Sequence, residues 1–482
     1  MHSSIIFRVL GILLMLFSIT LLPPALVSVI YNDQAINAFI ISFFITLGAG
    51  FFIWLPVYND KQDLRTRDGF LITALFWAVL GLAGSLPFIL NDATDLSIVD
   101  AVFESVSGLT TTGATVITGL DTLPSSILFY RQQLQWLGGI GIIVIAVAIL
   151  PMLGIGGMQL YRAETPGPVK DSKLTPRITQ TAKALFLIYV SLTIACAFAY
   201  WLAGMTVFDA ICHAFSTVAI GGFSTHDTSM AFFDSPAILV IAIVFMVLSG
   251  INFALHFVAW RSKSILNFLK DPECKFYLWC LFFGIVVTVL YLYSQNIYSF
   301  KESLLFGSFE LVSILTTTGF AVADYSLWPT FLPFMLFLFA FMGGCGGSTA
   351  GGIKVMRVML ICKQGIREIY RLIHPNAIIP VKVGNKPVSD RVIEAVWGFF
   401  AVYVISFMIM FLILMATGLD FLTAFTAIGA CINNLGPGMG DVAAHYGDIS
   451  TTAKWVLCFA MLLGRLEVFT LLVLLTPAFW RQ

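Results

Sequence analysis

Two stretches of this chain, roughly two hundred residues apart, read almost alike. Phe103 to Gly113 is FESVSGLTTTG and Phe309 to Gly319 is FELVSILTTTG, identical at nine of eleven positions by direct count. Each follows an apolar segment of helix length and precedes another. A bilayer forbids irregular backbone unless it is buried in protein or lines water. A polar, glycine-ended turn that recurs in such surroundings must therefore be enclosed by the rest of the chain. Thr-Thr-Thr-Gly gathers hydroxyl and carbonyl oxygens beside a residue that tolerates unusual dihedrals, which suggests an ion pore.

The surroundings are those of a membrane protein: 59% of residues are hydrophobic and 11% charged, less than half the charge of a soluble domain. A net charge of zero removes any bulk electrostatic case for nucleic acid as a partner. The apolar stretch from Ile5 to Ile30 is too long for a signal peptide and reads as a retained spanning helix in contact with lipid. The eight cysteines are scattered without a C-x-x-C pair and read as small buried hydrophobes. His213, His226, His256, His374 and His445 show no metal spacing.

Segments long enough to span run at about 5–30, 37–57, 70–91, 125–153, 183–204, 236–260, 275–295, 329–362, 392–417 and 451–476. Between them lie four half-apolar stretches, 99–112, 208–221, 304–318 and 421–435, too short to cross and too apolar for loops, as re-entrant half-helices would be. Basic residues gather in alternate connections: Lys61, Arg65 and Arg67, then Arg162 to Lys183, then Arg261 to Lys275, then Lys354 to Arg391. The other connections are acidic, with Asp92, Asp121, Asp227, Asp324 and Asp441 among them. The positive-inside rule then places both termini in the cytoplasm and the half-helices at the outer face.

Two further turns fall in register with the TTTG pair. The four are Thr110-Thr111-Thr112-Gly113, Ala219-Ile220-Gly221-Gly222, Thr316-Thr317-Thr318-Gly319 and Asn433-Asn434-Leu435-Gly436. Six residues before each glycine stand Ser107, Ser216, Ser313 and Ala430, and nine before stand Glu104, His213, Glu310 and Ala427. Four repeats suffice to close a ring around one axis. The expected fold is an all-α polytopic membrane protein in pseudo-fourfold arrangement around one pore. Residues 1–68 form two leading helices, and 69–157, 158–260, 261–372 and 373–482 form four membrane–pore-loop–membrane repeats. A dehydrated potassium ion takes about eight oxygens, supplied in carbonyl layers. The four turns are the expected selectivity filter, with K+ held at Thr111, Thr112, Ile220, Gly221, Thr317, Thr318, Asn434 and Leu435.

With these turns stand FESVSGLTTTGATV, the VAIGGFSTHD run from Val218, FMGGCGGSTAGGIKV from Phe341, HPNA from His374 and NNLGPG from Asn433. On these motifs, in this order and over essentially the whole length, the chain resembles the Trk-type potassium-uptake proteins of the Trk/Ktr/HKT superfamily. The resemblance implies a homodimer in the bacterial inner membrane, one pore per subunit, and a cytosolic, nucleotide-responsive TrkA-type partner. K+ is then the transported ion, with no organic cofactor.

A gate is expected below the filter. The run Gly343, Gly344, Cys345, Gly346, Gly347, Ser348, Thr349, Ala350, Gly351, Gly352 breaks segment 329–362 in mid-membrane, since glycine costs about 1 kcal/mol per residue in a helix. By itself the run reads either as a packing kink or as a flexible loop that blocks the pore beneath the filter and moves; the resemblance favours the loop, matching the intramembrane loop of Trk proteins, with Lys354 at its end. Gly352-Ile353-Lys354 lacks the ending of a phosphate loop, which sets nucleotide binding aside. Arg465, near the middle of the last helix, is costly there and must face protein or water. It reads either as half of a structural pair with Glu467 or Glu394, or as a cationic barrier under the filter that holds the glycine loop. Arg131 and Lys454, near outer helix ends, read as snorkelling, and Glu104 and Glu310 as carboxylates bonding backbone donors behind the filter, with direct ion binding the less favoured alternative.

Gated potassium uptake is the function these features favour. A proton- or sodium-coupled symporter of the same architecture is the alternative, against which stands the scarcity of ionisable residues inside the helices. An intramembrane enzyme is disfavoured: there is no H-E-x-x-H, and Gly346-Gly347-Ser348-Thr349-Ala350 misses the final glycine of a nucleophile elbow.

Overall fold

A computed structural model describes residues 3–59, 66–139, 141, 178–329, 331–466 and 468–480. The helices Ser3–Ile19 and Leu22–Tyr31 follow one another with a short break, and Ile36–Trp54 returns antiparallel to them. Gly11 and Gly50 bring this pair together. A Cβ on either would lie 2.7 or 2.8 Å from the other's carbonyl oxygen, the close approach that small residues permit in membranes.

Four units of helix, half-helix and helix follow. The first is Thr66–Gly84, Ile98–Leu109 and Ser125–Gly139; the second is Ile178–Leu202, Val207–Ala219 and Pro236–Ser249. The third is Pro272–Ser294, Phe300–Leu315 and Leu332–Met342, and the fourth is Asp390–Ala416, Phe421–Ile432 and Thr451–Arg465. The half-helices have 12, 13, 16 and 12 residues, so the shorter ones reach only about 18 Å, short of a hydrocarbon core about 30 Å thick. Each starts on a side-chain cap. Ser97 accepts from Asp100 N, Thr206 from Asp209 N, Ser299 from Glu302 N in a capping box, and Asp420 from the N–H groups of Leu422 and Thr423. Beyond the first turn these helices are buried on nearly all sides, so the outer helices form a wall and the half-helices fill its centre.

Among the described residues six helices are long and apolar enough to span, or seven if one bent pair is a single span. Ten spans were expected, and the differences have local causes. Segment 236–260 is bent by 95° between Pro236–Ser249 and Phe253–Ser262, where Asn252 caps the second helix by accepting from Ala254 N. Segment 329–362 ends its first helix at Met342 and resumes at Val355, as its glycine run requires. The last segment breaks after Arg465, with Val468 at a φ of 59°. Most of 140–153, and with it the boundary expected at 157, lies outside the described residues, as do Lys61, Arg65, Arg162, Lys170, Lys173, Arg177 and Glu467.

Candidate ion pathway

All four turns follow one backbone path. The second residue before each glycine is left-handed, with φ of 55° at Thr111, 55° at Ile220, 64° at Thr317 and 54° at Asn434. The glycines follow at 82° for Gly113, 80° for Gly222, 82° for Gly319 and 97° for Gly436, a region glycine enters without steric cost. The intervening residue donates its N–H six residues back in chain position from the glycine. Thr112 N bonds Ser107 O at 2.9 Å, Gly221 N bonds Ser216 O at 2.8 Å, Thr318 N bonds Ser313 O at 2.7 Å and Leu435 N bonds Ala430 O at 2.8 Å. The shared element is thus a backbone carbonyl, which is why alanine serves at the fourth site.

The turns close a ring in chain order. A Cβ added to Gly113 would run into Gly221 O, one on Gly222 into Thr318 O, one on Gly319 into Leu435 O, and one on Gly436 would lie 2.6 Å from Thr112 O. Each glycine therefore abuts the carbonyl that precedes the next glycine, and the fourth returns to the first. The peptide beyond each turn is tied back to its own half-helix. Val116 N donates to Glu104 Oε2 at 3.0 Å, Val322 N to Glu310 Oε1 at 2.7 Å and Met439 N to Thr426 Oγ1 at 2.9 Å. In the second unit Thr225 Oγ1 donates to Asp209 Oδ1 at 2.8 Å, and His213 Nε2 pairs with Ser224 Oγ at 2.9 Å. Neighbouring units are also stitched together by Gly119 N to Asp227 Oδ1, Met230 N to Ala321 O and Tyr446 N to Thr115 O.

Above the ring opens a cavity of about 370 Å³, lined by Gly113, Gly222, Gly319 and Gly436 and by the polar side chains of His226, Asp227 and Asp324. Below the ring every unit is contacted. Arg465 Nη1 donates to Thr111 Oγ1 at 3.3 Å, and Nη2 donates to the carbonyl oxygens of Gly138 and Gly139. From the glycine run, Thr349 Oγ1 donates to Val218 O at 3.0 Å, Gly351 N to Thr317 Oγ1 at 2.7 Å and Gly352 N to Asn433 O at 3.0 Å. Lys354 Nζ donates to Ala350 O.

The family model described as TrkH, cation transport protein, matches residues 35–481. The chain belongs to the TrkH family. It is 58% identical over 482 residues to the Trk system potassium uptake protein TrkH of Halomonas elongata, covering 100% of both chains. With the TrkH of Escherichia coli K12 it shares 53% over 483 residues, again covering 100% of each. The crystal structure of the potassium transporter TrkH from Vibrio parahaemolyticus superposes with a TM-score of 0.91 at 53% identity, covering 100% of both chains.

Two readings of this TrkH-family sequence need correction. Arg131 does not snorkel: it is 1% exposed, and its Nε pairs with Glu104 Oε1 at 2.8 Å. It also donates to Ser224 O and Thr115 Oγ1 and lies 4.3 Å from the Phe223 ring centroid. Lys454 likewise turns inward, to Asp100 Oδ1 at 2.6 Å and Gly447 O at 2.8 Å. In both cases the cation pairs with a carboxylate on the adjoining half-helix. Sequence reasoning also passed over Gln135, whose Nε2 donates to Gly221 O at 2.6 Å while its Oε1 accepts from Phe223 N at 3.1 Å. Tyr403, which donates to Asn433 Oδ1 at 2.8 Å, escaped notice too. A run of glutamines at Gln132, Gln133 and Gln135 within an apolar segment was the available signal.

Proposed function

We propose that this chain is the potassium-conducting subunit of a Trk-type uptake system in the bacterial inner membrane, with both termini cytoplasmic. The closed ring of four left-handed turns carries this reading. Four half-helices point their C-terminal, partially negative ends toward it, which favours a monovalent cation. The turns are the selectivity filter, where peptide and hydroxyl oxygens replace the water of K+. The glycine run and Arg465 are the gate: one positive side chain and one loop together underlie all four turns. An arginine beneath a cation pathway adds an electrostatic barrier, and a loop rich in glycine moves at low conformational cost. The chain acts as a transporter rather than an enzyme. The resemblance to Trk proteins supports its working as a homodimer with a cytosolic nucleotide-binding subunit.

Radiolabelled rubidium uptake into proteoliposomes holding the purified chain tests the reading. Uptake proceeds without a proton or sodium gradient, and Arg465→Ala raises the closed-state rate at least about tenfold, the effect of removing about 1.4 kcal/mol from a barrier. Uptake that requires an imposed gradient identifies a symporter, and an unchanged rate in Arg465→Ala argues against the gate.

A further inference from the structure

The glycine run has few side chains, so it is held mostly through its own peptide groups together with the Thr349 hydroxyl, and its contacts form two sets. One set meets the turns through Thr349, Gly351 and Gly352. The other is anchored at the bend after Ser249 and at the foot of Pro272–Ser294. There Cys345 N donates to Gly250 O at 2.9 Å and Phe253 N donates to Gly347 O at 3.0 Å. Gly346 N donates to Glu273 Oε1 at 2.6 Å. Ser348 N to Cys345 O at 3.2 Å and Val355 N to Gly344 O at 3.0 Å tie the anchored part to the rest of the run.

Glu273 stands apart from the other anchors because it is a carboxylate, and it is only 7% exposed. Burying a carboxylate is costly unless donors or a cation compensate it. Its partner within the run is the Gly346 N–H; beyond the run, Lys354 and the Met356 backbone also favour it and Asp271 opposes them. A Cβ on Gly346 would lie an ordinary 3.5 Å from Glu273 Oε1, so crowding is not what pairs them.

We infer that Glu273 is a latch, a positioning residue that holds the glycine run under the four turns by accepting the Gly346 N–H, and that conduction requires this bond to break. The inference rests on the gating reading above, and the Arg465→Ala variant tests that reading separately. In proteoliposomes Glu273→Ala raises closed-state rubidium uptake about tenfold, the weight of one buried hydrogen bond, with the rubidium-to-sodium ratio unchanged. Glu273→Gln keeps an acceptor oxygen and stays within about threefold of the parent.

A second readout follows the loop itself. Cys345, next to Gly346, is 1% exposed. In a Cys362→Ser background, which removes an exposed thiol, N-ethylmaleimide modifies Cys345 about tenfold faster in Glu273→Ala than in the parent. Glu273→Gln does not show this gain. Cys196 and Cys212 are buried elsewhere and stay unmodified unless the fold is lost. If they react, Glu273→Asp, whose carboxylate falls short of Gly346, takes the place of alanine and must show the same gains. Parent-like uptake and Cys345 labelling in Glu273→Ala, with Arg465→Ala leaking, overturn the latch alone. Faster Cys345 labelling with no leak in either variant overturns the gate and reduces Glu273 to an anchor.

Discussion

The first and third turns share one sequence; the second and fourth do not, yet all four share one backbone. The difference lies in how each is braced. In the threonine turns the bracing is internal: Thr110 and Thr112 join hydroxyls at 2.7 Å, as do Thr316 and Thr318. Thr110 and Thr316 also donate to Val106 O and Val312 O, one helical turn back. The second turn has no hydroxyl and borrows its support from Gln135 of the first unit. The fourth uses amides: Asn434 Nδ2 donates to Thr112 Oγ1 at 2.9 Å and to Met461 O, while Tyr403 holds Asn433. The left-handed path is thus set by helix termination and by neighbours around the ring, and side chains only stiffen it.

If so, the four glycines are equivalent despite their unlike settings. Serine at Gly113, Gly222, Gly319 or Gly436 puts a Cβ at positive φ, costing about 1–2 kcal/mol by itself, and drives it against the next unit's carbonyl. Each variant should lower the rubidium-to-sodium uptake ratio by about tenfold or more. A large loss at Gly113 and Gly319 with little at Gly222 and Gly436 would break the comparison and leave a twofold filter. A smaller effect sharpens it. Gln135→Met keeps the volume but loses the amide that braces Gly221, and the ratio should fall by about threefold to tenfold, the weight of one buried hydrogen bond. Thr110→Val, where bracing is internal and duplicated, should change it less.

The smallest expected effect lies at the outer ends of the half-helices. Asp420 caps with a carboxylate, whereas Ser97, Thr206 and Ser299 cap with hydroxyls. The Thr423 hydroxyl, followed by the N–H groups of Thr423 and Leu422, holds the Asp420 carboxyl below its usual range. Its contribution is therefore complete above the unfolded carboxylate's ordinary value and fades as pH falls through the depressed folded value. Asp420→Ala should lower the melting temperature in detergent by about 1–2 °C at neutral pH and by less in acid. Ser97→Ala, measured alongside, should show no such convergence.

Much of this was legible in the chain. Stretches too short to span and a glycine at a fixed offset located the half-helices within a few residues, because length, polarity and the turn glycine are local signals. The glycine run was legible for the same reason. The 95° bend near Gly250 was not, since apolar sequence lies on both sides and the break is held by contacts with the distant glycine run. Nor were the roles of Arg131 and Lys454, because a cation near a helix end looks the same in sequence whether it reaches for water or for a buried carboxylate.

Hydrophobic spacing and turn chemistry alone settled that this is a membrane protein of four repeated units with oxygen-rich turns, since the bilayer leaves so few ways to satisfy a backbone. Only the folded arrangement decided which unit abuts which, what braces the turns that lack threonine, and how Arg465 and the glycine run divide the underside between them. Those contacts join residues hundreds of positions apart, and no local preference encodes a distance between them.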